Sequence, residues 1–547
     1  MELIEARIDG ETKTIEKDAR LLDILPHDSS DPVVGARVGG LCLSLRERAQ
    51  AGVDIESIRL SSKEGRRIYR KTLCFLLSYA SSVIAPERVL VIGHSLGDGF
   101  YFRYKDGGKP DTERLRKVMK QAVSDDLAVE LVTLTSDEAL GYAKSRQLEE
   151  TVKLLESRND PVYRFARISG CMEVYYEPLL PSTSLLTIWE LRDYEDGLLL
   201  RYPRSEEPDR VTEPFIDNKK LFSVFCKDKQ SANILGLSCL GDLNLRIADG
   251  TIEETIRLSE YLSRRKISDI AKAIYDRGEV KAVFISGPSS SGKTTFSMKL
   301  SDELRVLGLN PIKLSLDDYY LDGKDIPLDE NGEKDFEVLE SLNLPLFQSQ
   351  MADLLEGKPV HPPVHYFKEQ LTVLREDELR LGKTDVLILE GLHGLNPRLC
   401  PDFPDSKAFR IYISALTQVN LDSRSRISTT DNRILRRLVR DNRTRGLSAT
   451  ETLARWPSVE RGEKKNIFPY QNRADVMMNS AMEYELAVLS PHAIPLLRSV
   501  RKESGSAYAL ARRLLEFLSL VHPVPDTLVP PDSIVREFIG GSVYHAL

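Results

Sequence analysis

The 547-residue chain contains no apolar run long enough to cross a bilayer, which excludes a helical membrane protein. Its opening residues, Met1-Glu2-Leu3-Ile4-Glu5, lack the basic-then-apolar order of a secretory signal, so none is expected. Cysteine is scarce. The six present (Cys42, Cys74, Cys171, Cys226, Cys239 and Cys400) are scattered without a C-x-x-C pair, which argues against a disulfide framework and points to buried free thiols in a reducing cytoplasm. Positive charge is not in excess either: 76 Lys and Arg against 83 Asp and Glu leave a net charge of −7. That balance argues against a general nucleic-acid or membrane-surface role and leaves room only for a local basic patch. Low-complexity tracts and short-period repeats are absent. What remains, 41% hydrophobic and 29% charged residues, is ordinary for a soluble globular protein, and the length suits about three or four domains.

The stretch that organises the rest is 286–296, S-G-P-S-S-S-G-K-T-T-F. Gly287, Gly292, Lys293 and Thr294 fit the phosphate-loop pattern G-x-x-x-x-G-K-[ST]. Before it, residues 280–285 (V-K-A-V-F-I) have the short apolar form of a buried parallel strand, and after it 296–307 shows helical apolar spacing that ends at Gly308. Glycines let such a loop curl its N–H groups inward, so Gly287, Pro288, Ser289, Ser290, Ser291, Gly292, Lys293, Thr294 and Thr295 are the candidate ATP-binding residues. Lys293 would reach the β/γ-phosphates, and the Thr294 hydroxyl would ligate Mg²⁺.

Further strands deliver acids beside this loop. Residues 311–316 (P-I-K-L-S-L) form a strand that ends at Asp317-Asp318-Tyr319-Tyr320, where ligands bind in open α/β sheets. Residues 384–390 (T-D-V-L-I-L-E) form another, which aims Glu390 at the Mg²⁺ held by Thr294, with Asp317 as a further oxygen. Either acid could instead cap its strand end. Residues 431–445 (D-N-R-I-L-R-R-L-V-R-D-N-R-T-R) form an arginine-dense helix suited to paired phosphate oxygens, although a solvated basic face would read the same way.

The combination G-P-S-S-S-G-K-T, S-L-D-D-Y-Y, D-F-E at 335–337 and L-I-L-E-G-L-H-G-L-N-P resembles the uridine kinase and phosphoribulokinase family. The resemblance implies that Asp317 accepts the proton of a sugar 5′-hydroxyl while it attacks the γ-phosphorus. It implies a lid at 431–445 whose basic positions are Arg433, Arg436, Arg437, Arg440 and Arg445. Arg437 would then hold the nucleotide, Arg440 and Arg445 would stabilise the transferred phosphoryl with Lys293, and Arg433 would face the acceptor. Tyr320 and Glu337 match acceptor-binding positions. His365 stands where the family carries a tyrosine, within 362–367 (P-P-V-H-Y-F), and Tyr366 where it carries an aspartate. Lys368-Glu369-Gln370 also departs from the pattern, so phosphoryl transfer is expected but uridine itself is open. The implied acceptor is a nucleoside, with a phosphopentose as the alternative within the enzyme class. From another class, the chain could be a nucleotide-sensing or RNA-binding regulator, against which an intact Asp317 argues.

The N-terminal half reads differently. Alternating strands at 2–9, 12–15, 33–38 and 58–60 with a short helix near 21–25 resemble the ubiquitin-like β-grasp domain called TGS. The helix at 69–80, the strand-turn-strand at 89–104 and the segments 169–175 and 198–203 resemble the editing domain of threonyl-tRNA synthetases. That family binds zinc through His-x-x-x-His and Cys-x-x-x-His, and the matching positions here are Lys71, Phe75, Cys171 and Tyr175. A lysine and a phenylalanine cannot complete a tetrahedral site. Metal binding and tRNA editing are therefore rejected, and the module is read as a scaffold for packing, homo-oligomerisation or regulation. His94, a lone histidine at a turn, is read as structural. Prolines 203, 208 and 214 mark a boundary, 232–240 reads as a strand, and 251–275 as helix broken by a phase slip, one helix or two. Residues 456–472 are expected to form a loop and helix over the nucleotide, and 506–520 an amphipathic helix.

The expected architecture is multi-domain α/β. A TGS-like β-grasp domain at 1–62 and a metal-free α+β editing-like domain at 63–205 lead through a linker and helical connector at 206–279 to a P-loop kinase core at 280–500. This core would be a parallel sheet with helices on both faces, followed by a C-terminal helix and tail at 501–547.

Overall fold

The computed structural model describes residues 3–49, 53–204, 206–329, 332–366 and 369–544. At the N-terminus five strands pair in the order Glu11–Glu16, Leu3–Ile8, Asp54–Arg59, Val33–Val38, Leu41–Leu43, with the central pair parallel. Period-two alternation makes the sheet one-sided: Ala6 and Ile8 point into a core with Leu21, Leu25 and Ile55, while Arg7 between them is exposed. This is a β-grasp arrangement. The short strands 41–43 and 54–57 escaped the sequence reading because they lack a bounding apolar pattern.

The next module is built on the helix Lys63–Ile84, which Ser62 caps through a bond from the Gly65 N–H. Beside it lie a four-stranded antiparallel sheet (Glu190–Tyr194, Gly197–Arg201, Gly99–Tyr104, Leu90–Leu96) and a three-stranded one (Cys171–Val174, Val162–Ile168, Glu130–Thr135). His94 is buried and stacks on Phe225 at 5.3 Å, and burial keeps its imidazole well below its ordinary pKa.

Three helices follow: Lys219–Ile234, Leu240–Ala248 and Ile252–Arg277. The strand expected at 232–240 is therefore corrected. Gly236 adopts φ +67° in the turn that ends the first helix, and a capping box of Cys239 and Asp242 starts the second. The last helix is single and continuous. Its phase slips because its two halves pack on different cores: Ile252 and Ile256 join the C-terminal helices, whereas Ile267, Ile270 and Ile274 cover the central sheet.

That sheet is all parallel, in the order Asn310–Ser315, Asp385–Glu390, Ala282–Ser286, Ala408–Ser414, Val476–Asn479. Every residue of Ala282–Ser286 is buried. Ala282 and Phe284 face the helix Leu344–Leu355, and Val283 and Ile285 face the helices Ile252–Arg277 and Lys293–Val306. Helices thus cover both faces, and the chain is a multi-domain α/β protein. Helix Thr429–Arg445, capped by Ser428 and stopped at Gly446 (φ +65°), leads into Ala449–Asn466. The loop expected at Trp456-Pro457 is helix, because a Ser448–Glu451 capping box starts it earlier and carries it through Pro457. The amphipathic helix expected at 506–520 runs Ser506–Leu518.

Candidate active site

Residues 287–292 turn the chain from the buried strand Ala282–Ser286 into the helix Lys293–Val306. Two glycines are required sterically. A Cβ on Gly287 would fall 2.2 Å from the Ile413 carbonyl oxygen, and Gly292 adopts φ +79°. Lys293 folds back and donates to the carbonyls of Gly287 (3.0 Å) and Pro288 (3.3 Å). Its ammonium is therefore held over the loop at the positive end of a helix.

Strand register brings the acids to this point. Glu390 pairs with Ile285 on one side and Ser315 on the other, and Asp317 lies two residues beyond Ser315 in a 3-10 turn. The Glu390 carboxylate lies beside the Thr294 hydroxyl, and burial raises its pKa to about 7, the Lys293 charge opposing and Asp317 and Glu537 adding to the rise. Asp317 is also raised by burial, against the pull of Lys293, then Arg445, His365 and Arg440. Among the described residues no three His, Cys, Asp or Glu side chains converge closely enough to hold a metal by themselves. The all-oxygen pair of Thr294 and Glu390 suits Mg²⁺, which keeps several waters and binds with substrate phosphates.

The arginine helix sends its guanidiniums to several different partners. Arg433 donates to the Ser289 carbonyl (2.9 Å) and forms a buried ion pair with Glu463, which engages its guanidinium at the loop. Arg437 donates to the Ser289 hydroxyl (2.7 Å). Arg436, fully buried, joins the Ser290 carbonyl to Glu485. Arg440 (2.8 Å) and Arg445 (3.7 Å) both turn toward Asp441, a buried acid on their own helix, while their charges still act on Asp317. Asp441 was not singled out in the sequence.

Glu337 is half-buried, and its pKa is raised to about 7, by burial first and then by the Glu463 charge. Tyr320 is buried and donates its hydroxyl to the Phe336 carbonyl (2.9 Å), which makes it a wall of the site that fixes the D-F-E loop. His365 is buried at the edge of the same wall, 5.7 Å from the Tyr320 ring, with Nδ1 2.8 Å from the Thr372 hydroxyl. Phe367 and Lys368, in the altered stretch, lie outside the described residues.

Two further acids reach the loop. The Ser289 N–H donates to Glu463 (2.8 Å), and the Thr295 N–H donates to Glu537 (3.0 Å). Neither stood out in the sequence as a site residue, since the contacts span 174 and 242 positions.

The positions matching a zinc site converge, but on other chemistry. Lys71 pairs with Glu173 at 3.2 Å and donates to the Ser425 hydroxyl at 2.9 Å, while Phe75 and Cys171 lie in one apolar cluster. Arg424 donates to the Met172 carbonyl (2.9 Å), and the Ile92 N–H bonds the Ser423 carbonyl (2.9 Å). This pocket thus grips residues 420–425, which lead into the helix Thr429–Arg445.

Residues 282–487 match the family described as Phosphoribulokinase / Uridine kinase family. The uridine kinase of Staphylococcus aureus (strain JH9) is 29% identical over 206 residues, 37% of this chain and 89% of that one. That of Lactobacillus helveticus (strain DPC 4571) is 25% identical over 205 residues, 37% of this chain and 88% of that one. The threonine–tRNA ligase of Clostridioides difficile (strain 630) is 27% identical over 210 residues, 37% of this chain. The chain spans about a third of that ligase's length (32%). Residues 282–487 are accordingly a phosphoribulokinase/uridine kinase family domain, joined to an N-terminal half similar to part of threonine–tRNA ligases.

Proposed function

We propose that the protein is an ATP- and Mg²⁺-dependent kinase that phosphorylates a sugar hydroxyl, the 5′-hydroxyl of a nucleoside. The observation that carries this is the convergence of Asp317 and Glu390, from neighbouring strand ends, on Lys293 and Thr294 of the phosphate loop. A loop that only senses nucleotide has no need of a base beside the γ-phosphate. In the reaction Asp317 takes the acceptor hydroxyl proton, the oxygen bonds to the γ-phosphorus, and the bond to the β-phosphate bridging oxygen breaks. Lys293 and the loop N–H groups stabilise the charge on the transferred group. Mg²⁺, held by Thr294 and Glu390 with the nucleotide phosphates, would neutralise phosphate charge. Glu337 orients the acceptor.

An acceptor screen tests the proposal. Protein, Mg²⁺ and ATP are incubated with each common nucleoside, with ribulose 5-phosphate and with water alone, and ADP and phosphorylated product are measured. A nucleoside is expected to turn over. Turnover of the phosphopentose alone would replace the acceptor, and silence with ATP bound would favour a regulator.

Glu337 also sets an expected pH response. Its raised pKa of about 7 means that it is protonated below that pH and ionised above it. If the ionised carboxylate accepts the sugar hydroxyls, the acceptor KM falls as pH rises through about 7, and Glu337→Gln flattens that profile at a high KM. An unchanged profile in the variant would remove Glu337 from the acceptor site. The same shift has a stability consequence. The folded state holds the proton more tightly than the unfolded chain, so this group's contribution is present at low pH and is lost as pH rises toward 7.

A further inference from the structure

A phosphate loop works by presenting backbone N–H groups to phosphate oxygens. In this chain two of those groups, on Ser289 and Thr295, already donate to carboxylates, Glu463 and Glu537. A carboxylate and a phosphate oxygen cannot share one N–H, and two anions at that separation repel. We infer that Glu463 and Glu537 are internal competitors of the phosphate donor, and that Glu537 with its C-terminal segment must leave the loop before a nucleoside triphosphate can bind. The inference rests on the proposed ATP site and adds its regulation.

The two acids differ in how they are held. Glu463 is buried within the helix Ala449–Asn466 and locked by Arg433. Glu537 lies on a four-residue helix, Arg536–Ile539, in the C-terminal segment 526–544, whose Ile534, Val535 and Phe538 are buried in the core of the C-terminal helices and which reaches the loop through a few polar contacts as well. Lys299 donates to the Asp532 carbonyl (2.8 Å), Arg264 pairs with the Asp532 carboxylate (2.6 Å), and Arg443 donates to the Glu537 carbonyl (2.9 Å). Arg436 stacks over Phe538 at 4.8 Å. A Cβ on Gly292 would fall 2.7 Å from the Ile534 methyl, which puts this segment on the loop glycine itself. Released, the segment would free the Thr295 N–H and the space beside Gly292 together, while the lid arginines would keep their places on the loop. Nucleotide affinity is then lowered by the fraction of molecules in which the segment is seated.

The test compares ATP binding, by titration calorimetry with Mg²⁺, in the wild-type chain and in Glu537→Gln. The amide removes the competing charge at nearly the same shape. Tighter binding by on the order of fivefold or more is expected, the range of an ordinary coupling between two binding events. An equal or weaker affinity in the variant, with wild-type ATP binding intact, would overturn the inference and leave the kinase reading standing. If neither protein binds ATP, the site reading fails and the inference falls with it. A second readout uses the wild type alone: saturating ATP is expected to speed tryptic cleavage after Arg536, and cleavage unaffected by ATP would contradict release of the segment.

Discussion

Asp317→Asn should bind ATP near normally and lose about two to four orders of magnitude in turnover, the usual contribution of a positioned general base. The asparagine keeps the size and the polar contacts of the 3-10 turn, where the backbone N–H of residue 317 bonds the Ser315 hydroxyl (3.2 Å), so the fold is not at issue. It removes the site that receives the proton as the hydroxyl attacks. Nucleotide affinity depends on Lys293 and the loop N–H groups, and the loss of one acid near Lys293 does not remove them. The expected pattern is therefore a large fall in kcat with the ATP dissociation constant unchanged. Steady-state rates and calorimetry on the same sample check it. Turnover within tenfold of wild type would show that another group takes the proton.

Lys71→Met should be the most damaging change in the N-terminal half. Glu173 is buried and Lys71 nearly so, with side chains 3% and 14% exposed, and they sit 3.2 Å apart. Removing the lysine leaves a buried carboxyl, already raised by burial, without its closest cation. Breaking one side of a buried pair costs about 3–5 kcal/mol, whereas replacing both sides can be close to neutral. The single variant should therefore melt well below wild type, and Lys71→Met with Glu173→Gln should recover most of the loss. Because Lys71 also bonds Ser425, the single variant should loosen the approach to the helix Thr429–Arg445. Thermal unfolding of the three proteins measures both effects. A Lys71→Met protein as stable as wild type would mean that the pair is solvated.

Some of this was legible in the sequence because it is written locally. The glycines of the loop, the apolar run 280–285 before it and the strand-end positions of Asp317 and Glu390 follow from steric need and from the continuous apolar runs of strands buried on both faces. That Lys71 and Phe75 do not fit the zinc pattern at those positions was readable from residue type alone. The Lys71–Glu173 pair was not, since Glu173 looks like any strand glutamate until the sheet brings it to Lys71. The stretch 232–240 misled because an apolar run with a central glycine reads equally as a strand or as a helix end. The phase slip in 251–275 was real, but its cause, one helix serving two cores, is tertiary. Arginine spacing placed five guanidiniums on one helix without telling which of them Asp441, Glu463 and Glu485 would claim. Glu537 gave no signal in the sequence, because nothing local ties it to a loop 242 residues away.

The most direct test of the central claim is the fate of the γ-phosphate. ATP labelled there is incubated with the protein, Mg²⁺ and a mixture of nucleosides, and the products are separated into inorganic phosphate and sugar phosphate esters. Label is expected in a nucleoside 5′-monophosphate, and none there with Asp317→Asn. Label found only as inorganic phosphate, or the same ester yield from both proteins, would contradict it.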